Sequence, residues 1–148
     1  MAAIQLITSF LGSFGFALLF NVRVKNLIPC AFGGFLCCGV YLIFHDCLNT
    51  HLFLANLAAG AVCQIYAEIL ARLLKAPATV FYITALIPMI PGGSLYRTMD
   101  AAVSRDWSLF YLRGAETVYT TLGLAIGIAL VSGILHLYRQ RRKKEQNL

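Results

Sequence analysis

The chain has 148 residues, of which 59% are hydrophobic and only 12% charged, with a formal net charge of +6. Soluble domains run near ~45–50% apolar and ~25% charged, and a chain this short exposes too much surface to hide the excess in a core. A soluble globular domain and a secreted disulfide scaffold are therefore excluded, and a bilayer is the solvent the composition calls for. The pI near 9.3 does not point to nucleic acid. Five of the twelve basic residues form one C-terminal run, Arg139 to Lys144, and most of the others flank apolar stretches, so no nucleic-acid partner is expected. The cysteines, Cys30, Cys37, Cys38, Cys47 and Cys63, make no C-x-x-C pair and no zinc-ligand spacing, so neither a metal nor another cofactor is expected.

Five apolar segments follow one another along the chain: Ala2–Phe20, Leu27–Phe44, Leu52–Ala71, Ala76–Ile90 and Val118–Leu137. A helix needs about 20 residues to cross ~30 Å of hydrocarbon. Four of the segments approach that length; the fourth has 15 residues, about 22 Å of helix. The first segment lacks a basic leader, its Arg23 and Lys25 coming after it, so it reads as a retained span and not a cleaved signal. The expected architecture is an all-α integral membrane protein of about five transmembrane helices. It forms a single transmembrane domain over residues 1–138, followed by a basic tail at 139–148.

Basic residues alternate between connections. The first loop holds Arg23 and Lys25, the second none, the third Arg72 and Lys75, and the tail Arg139, Arg141, Arg142, Lys143 and Lys144. The positive-inside rule then places the N-terminus outside and the C-terminus in the cytoplasm of a cell (inner) membrane. The fourth connection is the exception. It carries Arg97, Arg105 and Arg113 beside Asp100, Asp106 and Glu116, and acids contribute little to the rule.

Several spans carry a face of small and polar residues: Gln5, Ser9 and Gly12 in the first; Asn56, Gly60, Cys63 and Ala67, with Gln64 beside them, in the third; Gly123 and Gly127 in the last. Small residues let helices approach closely, and Asn56 and Gln64 are also candidates to line a solute path. Glu68 lies four residues before Arg72. It is either an interfacial ion-pair partner or a proton-coupling carboxylate facing the bundle interior. His45, Asp46, Cys47 and His51 read as a solvated loop, and His136 as interfacial.

The most informative stretch is Ile87-Pro88-Met89-Ile90-Pro91-Gly92-Gly93-Ser94-Leu95-Tyr96-Arg97-Thr98-Met99. Pro88 and Pro91 each remove a backbone donor, and Gly92 and Gly93 can take backbone angles closed to other residues. The fourth span should break here, and an amphipathic helix should resume with Ser94 as its N-cap and run over residues 94–113, ending about Gly114. Non-helical backbone at membrane depth is tolerated only inside protein or beside a water-filled cavity, and such a break is a pointer to a transporter site. A helix start aims free N–H groups at the break, and Arg97 adds a fork suited to a carboxylate. The candidate substrate-binding set is Pro88, Pro91, Gly92, Gly93, Ser94, Tyr96, Arg97 and Asp100, with Asn56 and Gln64. Asp100 could orient Arg97, meet an ammonium group, or join Glu68 as a proton-coupling candidate.

The I-P-x-x-P-G run followed by Y-x-x-M, Ile87 to Met99, with Phe20-Asn21-Val22 after the first span and the glycine-bearing final span, resembles the smaller half of the bacterial threonine/serine exporter family over essentially the whole chain. The resemblance implies a transporter built from two hydrophobic halves. This chain would be one subunit, needing a larger threonine/serine exporter-type partner and drawing on the proton gradient. Threonine, serine and succinate are the small-molecule substrates it suggests, all carboxylate-bearing. A non-transporting scaffold subunit is the alternative. No H-E-x-x-H or G-x-S-x-G pattern supports an enzyme.

Overall fold

The computed structural model describes residues 2–146, with side chains apart from those at 47, 139, 140 and 142–146; the side chains of Cys47, Arg139, Arg142, Lys143 and Lys144 thus lie outside the described residues. The described chain is wholly helical: α1 Ala2–Leu19, α2 Val24–Leu42, α3 Leu52–Leu74, α4 Ala78–Leu86, α5 Gly92–Val103 and α6 Trp107–Gln146. A π-helical turn, Ile43–Cys47, extends α2, and a 3₁₀ turn, Ile87–Met89, extends α4. Four helices are long and apolar enough to cross a membrane, and up to five if α4 and α5, bent by 50° at their break, form one span. This is an all-α, multi-pass membrane protein.

The helices stop where backbone geometry closes them off. Asn21, Lys75 and Arg105 have positive φ. After them, Val22, Ala76 and Asp106 donate backbone N–H groups to the Ala17, Ala71 and Ala101 carbonyls at 3.0, 3.2 and 2.9 Å. This is the Schellman closure, here without glycine. The third of these ends corrects one expectation. The amphipathic helix does not reach Gly114 but ends at Val103, because Arg105 takes the left-handed conformation and Asp106 starts the next helix, its Oδ1 accepting the Leu109 N–H at 3.1 Å. The last span is correspondingly longer than 118–137: α6 is continuous from Trp107, and the expected tail carries on its helix through Gln146.

α2 is the centre of the bundle, in contact with α1, α3 and α4. Its buried face is small: Cys30, Ala31, Gly33, Gly34, Cys37 and Cys38. A Cβ on Gly34 would collide with the Ser13 hydroxyl of α1. On the opposite side the Tyr66 hydroxyl of α3 donates to the Pro29 carbonyl at 2.8 Å. Phe81 of α4, fully buried, fills the space among Ala17, Leu27, Cys30 and Ala67.

α6 joins through α3. Gly123 lies over Phe53, Asn56 and Leu57, and Gly127 over Leu57 and Ala61, so the two helices run parallel with backbones almost touching. α5 contacts α6 alone among the described helices. The register leaves residues 107–120 running past the start of α3, about 20 Å of helix, with α5 folded back along them.

A Cβ at Gly123 would sit 2.5 Å from the Phe53 carbonyl oxygen and 3.1 Å from Asn56 Cβ, whereas at Gly133 it would meet nothing within 4 Å. Gly123→Ala should therefore cost about 1–3 kcal/mol through overpacking, and Gly133→Ala should be neutral within about 0.5 kcal/mol. Thermal unfolding of the two variants in detergent checks this, and equal melting temperatures would rule out the α3–α6 contact.

Candidate functional site

The break between α4 and α5 is built by two prolines. Ile90 is extended at φ −62°, ψ 128°, and Pro91, at φ −75°, ψ 58°, centres an inverse γ-turn closed by the Gly92 N–H on the Ile90 carbonyl at 2.7 Å. α5 starts at once, at Gly92, with Pro91 in the capping position. Ser94 is therefore not the N-cap. It lies inside the first turn, and its hydroxyl donates back to the Pro91 carbonyl at 3.1 Å. Gly92 and Gly93 both have negative φ and open space around them, so the break does not use glycine's special angles.

Beside the break lies a cavity of about 890 Å³, at the end of the bundle where α1 begins, α2 ends and α3 begins. α1 gives it Gln5, Thr8 and Ser9; α2 and its π-turn give Cys38, Tyr41 and His45; α3 gives Leu52 and Asn56. Pro88, Met89, Pro91 and Ser94 form the wall at the break, and Glu116, Tyr119 and Thr120 the wall from α6. Pro88 also packs toward α1, where a Cβ on Gly12 would lie 3.4 Å from its ring.

Of the residues singled out in the sequence, Pro88, Pro91, Ser94 and Asn56 thus share one cavity. The others lie outside its lining. Gly92, Gly93, Tyr96, Arg97 and Asp100 are exposed on α5, and no ion pair joins Arg97 to Asp100 among the described residues. Gln64 is buried two turns farther along α3, with its Oε1 lacking a partner, and Glu68 is half-buried one turn beyond that. His51 is exposed just before α3.

Two chemically important residues were not in the predicted set. His45, read as part of a loop, is held in the π-turn. Its ring stacks on Tyr41 at 5.3 Å between centroids, and its Nδ1 is 2.8 Å from Asp46 Oδ1. Glu116, read only as part of a charge balance, lines the cavity, and the Arg113 Nη1 donates to both of its carboxylate oxygens at 2.8 and 3.1 Å. The signal for Glu116 was available: Glu116, Thr120 and Gly123 fall at i, i+4 and i+7, one face of a helix, and Gly123 marks that face as the packed one.

Asn56 is 1% exposed. Its Nδ2 donates to the Leu52 carbonyl at 2.7 Å, and its Oδ1 is buried without a donor. An unpaired buried carbonyl costs about 1–3 kcal/mol.

A cavity of this size at a Pro/Gly break within a multi-pass bundle is the arrangement of a solute carrier. The family comparison agrees: residues 5–134 match the family described as threonine/serine exporter, ThrE, and the chain belongs to that family. No solved structure matches it.

Cys38 lines the cavity, while Cys30, Cys37 and Cys63 are fully buried between helices. In a Cys47→Ser background a small, charged thiol reagent should therefore modify Cys38 well before the other three. Peptide mapping by mass spectrometry reads this directly, and labelling of all four at one rate would show that water does not enter where the cavity is drawn.

Proposed function

We propose that this chain is the smaller membrane subunit of a secondary transporter that exports a small carboxylate-bearing metabolite together with a larger partner subunit. A threonine- or serine-type amino acid stands ahead of a succinate-type dicarboxylate as the solute. The observation that carries the proposal is the polar cavity at the Pro88–Pro91 break in a chain of the exporter family.

The solute contacts are assigned to Ser94, Asn56 and the other residues of the cavity wall, with Pro88 and Pro91 holding the wall open. Gly92, Gly93, Tyr96, Arg97 and Asp100 stand on exposed α5 and Gln64 behind the cavity; in this reading α5 meets the partner. Support for a partner comes from the surface of α5, where Leu95, Tyr96, Met99 and Val103 are all exposed on a helix that, among the described helices, contacts α6 alone. Glu68 and Asp100 remain candidates for proton coupling. With the N-terminus outside, as the basic loops require, the cavity lies at the outer end of the bundle, placed to release solute from the cell.

Efflux from cells lacking their own exporter tests the proposal. Cells loaded with a threonine-containing dipeptide or with succinate should lose the solute only when this chain and the larger subunit are both present. Ser94→Leu, which fills the wall at the break, should reduce that efflux about tenfold or more, an effect on the order of 1.4 kcal/mol. Efflux unchanged by omission of this chain would reduce it to an accessory or scaffold subunit.

A further inference from the structure

At the end of the bundle opposite the solute cavity lies a smaller cavity of about 290 Å³, between the α1–α2 and α3–α4 connections. Arg23 and Lys75 supply its charge, and no aspartate or glutamate lines it. Both α2 and α4 start here, with Arg23 and Pro77 in their capping positions and in the cavity wall. Neither start has a side-chain cap or an acidic residue in its first turn, so the N-terminal ends of two helices add to the field of the two cations. α1 and α3 end at the same cavity, but their closing turns occupy the Ala17, Leu18 and Ala71 carbonyls. Asn26 is 2% exposed, lines the cavity and has no partner for its Oδ1. An amide without a donor on its oxygen loses nothing there by turning its two N–H donors to an anion. Two cations, two helix starts and a buried amide together suit a phosphate group.

The cavity continues beyond its polar wall. Phe20, Val22 and Val80 also line a groove of about 270 Å³ that runs along α4 past Thr79, Ile83 and Thr84. Two of its residues, Phe20 and Ile83, are 55% and 42% exposed, on surface that a bilayer covers. A soluble anion would fill the basic cavity and leave the apolar groove empty. A phosphate joined to an acyl chain fills both. Basic pockets between membrane helices at the cytoplasmic surface take anionic lipid head groups, and the basic connections assign this end of the bundle to that surface. We infer that the cavity and the groove form a binding site for an anionic glycerophospholipid, its phosphate held by Arg23, Lys75 and Asn26 and one acyl chain lying between α1 and α4. The lipid ties the α1–α2 connection to the α3–α4 connection. It thereby steadies the start of the helix whose other end leads into the Pro88–Pro91 break.

The test follows lipid binding to the purified chain, with any subunit that co-purifies, by native mass spectrometry and by thermal stabilisation in detergent. The probes are dioleoyl phosphatidylglycerol, dioleoyl phosphatidylcholine, glycerophosphate and inorganic phosphate. Phosphatidylglycerol should bind about tenfold or more tightly than phosphatidylcholine, and the two soluble phosphates should not stabilise. Arg23→Gln combined with Lys75→Gln should abolish the preference. Lys25→Gln combined with Arg72→Gln is the control: it removes the same charge from the same two connections but from outside the cavity, and the preference should persist. Thr79→Trp, which fills the groove, should weaken phosphatidylglycerol binding. Equal binding of the two lipids by wild-type protein overturns the inference with no variant needed, so a variant that fails to fold does not protect it. Stabilisation by inorganic phosphate equal to that by phosphatidylglycerol overturns the lipid and leaves a soluble-anion site. Equal loss in the two double variants overturns the site, because the preference is then diffuse surface charge, and unchanged binding in Thr79→Trp overturns the groove.

Discussion

The contact on which the cavity depends is the approach of α6 to α3. Gly60, Gly123 and Gly127 remove the side chains that would hold the two backbones apart. In a bilayer no hydrophobic drive pulls helices together, because the lipid is as apolar as the helix surface, so van der Waals fit must do it. The consequence reaches the site directly. Gly123 rests on Asn56, and one and two turns earlier on the same helix come Thr120 and Glu116. Moving α6 outward by the width of a methyl group would draw the carboxylate wall away from the amide wall.

The Pro88–Pro91 break does complementary work. A continuous fourth helix would run its side chains into the space between α1 and α6. The 3₁₀ turn, the extended Ile90 and the γ-turn at Pro91 instead bend the chain by 50°, and the space left is the cavity. Within the break the Gly92 N–H is satisfied by the Ile90 carbonyl, and the Pro91 carbonyl accepts both the Leu95 N–H and the Ser94 hydroxyl. This is how a non-helical segment survives at membrane depth: it lines a cavity and supplies its own partners.

The spans were legible because long uncharged runs carry their own signal, and the break because two prolines three residues apart remove two of the N–H donors a continuous α-helix needs. The end of α5 was not legible. Ser104-Arg105-Asp106 contains neither glycine nor proline, and its turn depends on an arginine taking a conformation unusual for it. Gly114, which reads as a stop, instead lies inside α6 as a packing position, where an added Cβ would be 3.6 Å from Thr98. The site was half legible for a related reason. Pro88, Pro91, Ser94 and Asn56 announce themselves by type within apolar sequence. In the sequence Glu116 falls just before an apolar run and His45 just after one, where charge ordinarily means only an interface, and tertiary packing alone brings them to the cavity.

The fourth connection now has a physical account that charge counting lacked. Arg113 is held by Glu116, Asp106 caps α6, and Arg105 sits in the turn between helices. Three of its six charges thus serve the fold and a fourth, Glu116, serves both the fold and the cavity. Around them Tyr96, Trp107, Tyr111 and Tyr119 are all exposed, amphipathic rings of the kind that settle at the membrane–water boundary. Such a hairpin, charged at its turn and ringed by aromatics, is stable at an interface but not in the hydrocarbon. Its anchoring there fixes the depth of the start of α6, which carries Glu116 and Thr120 into the cavity wall.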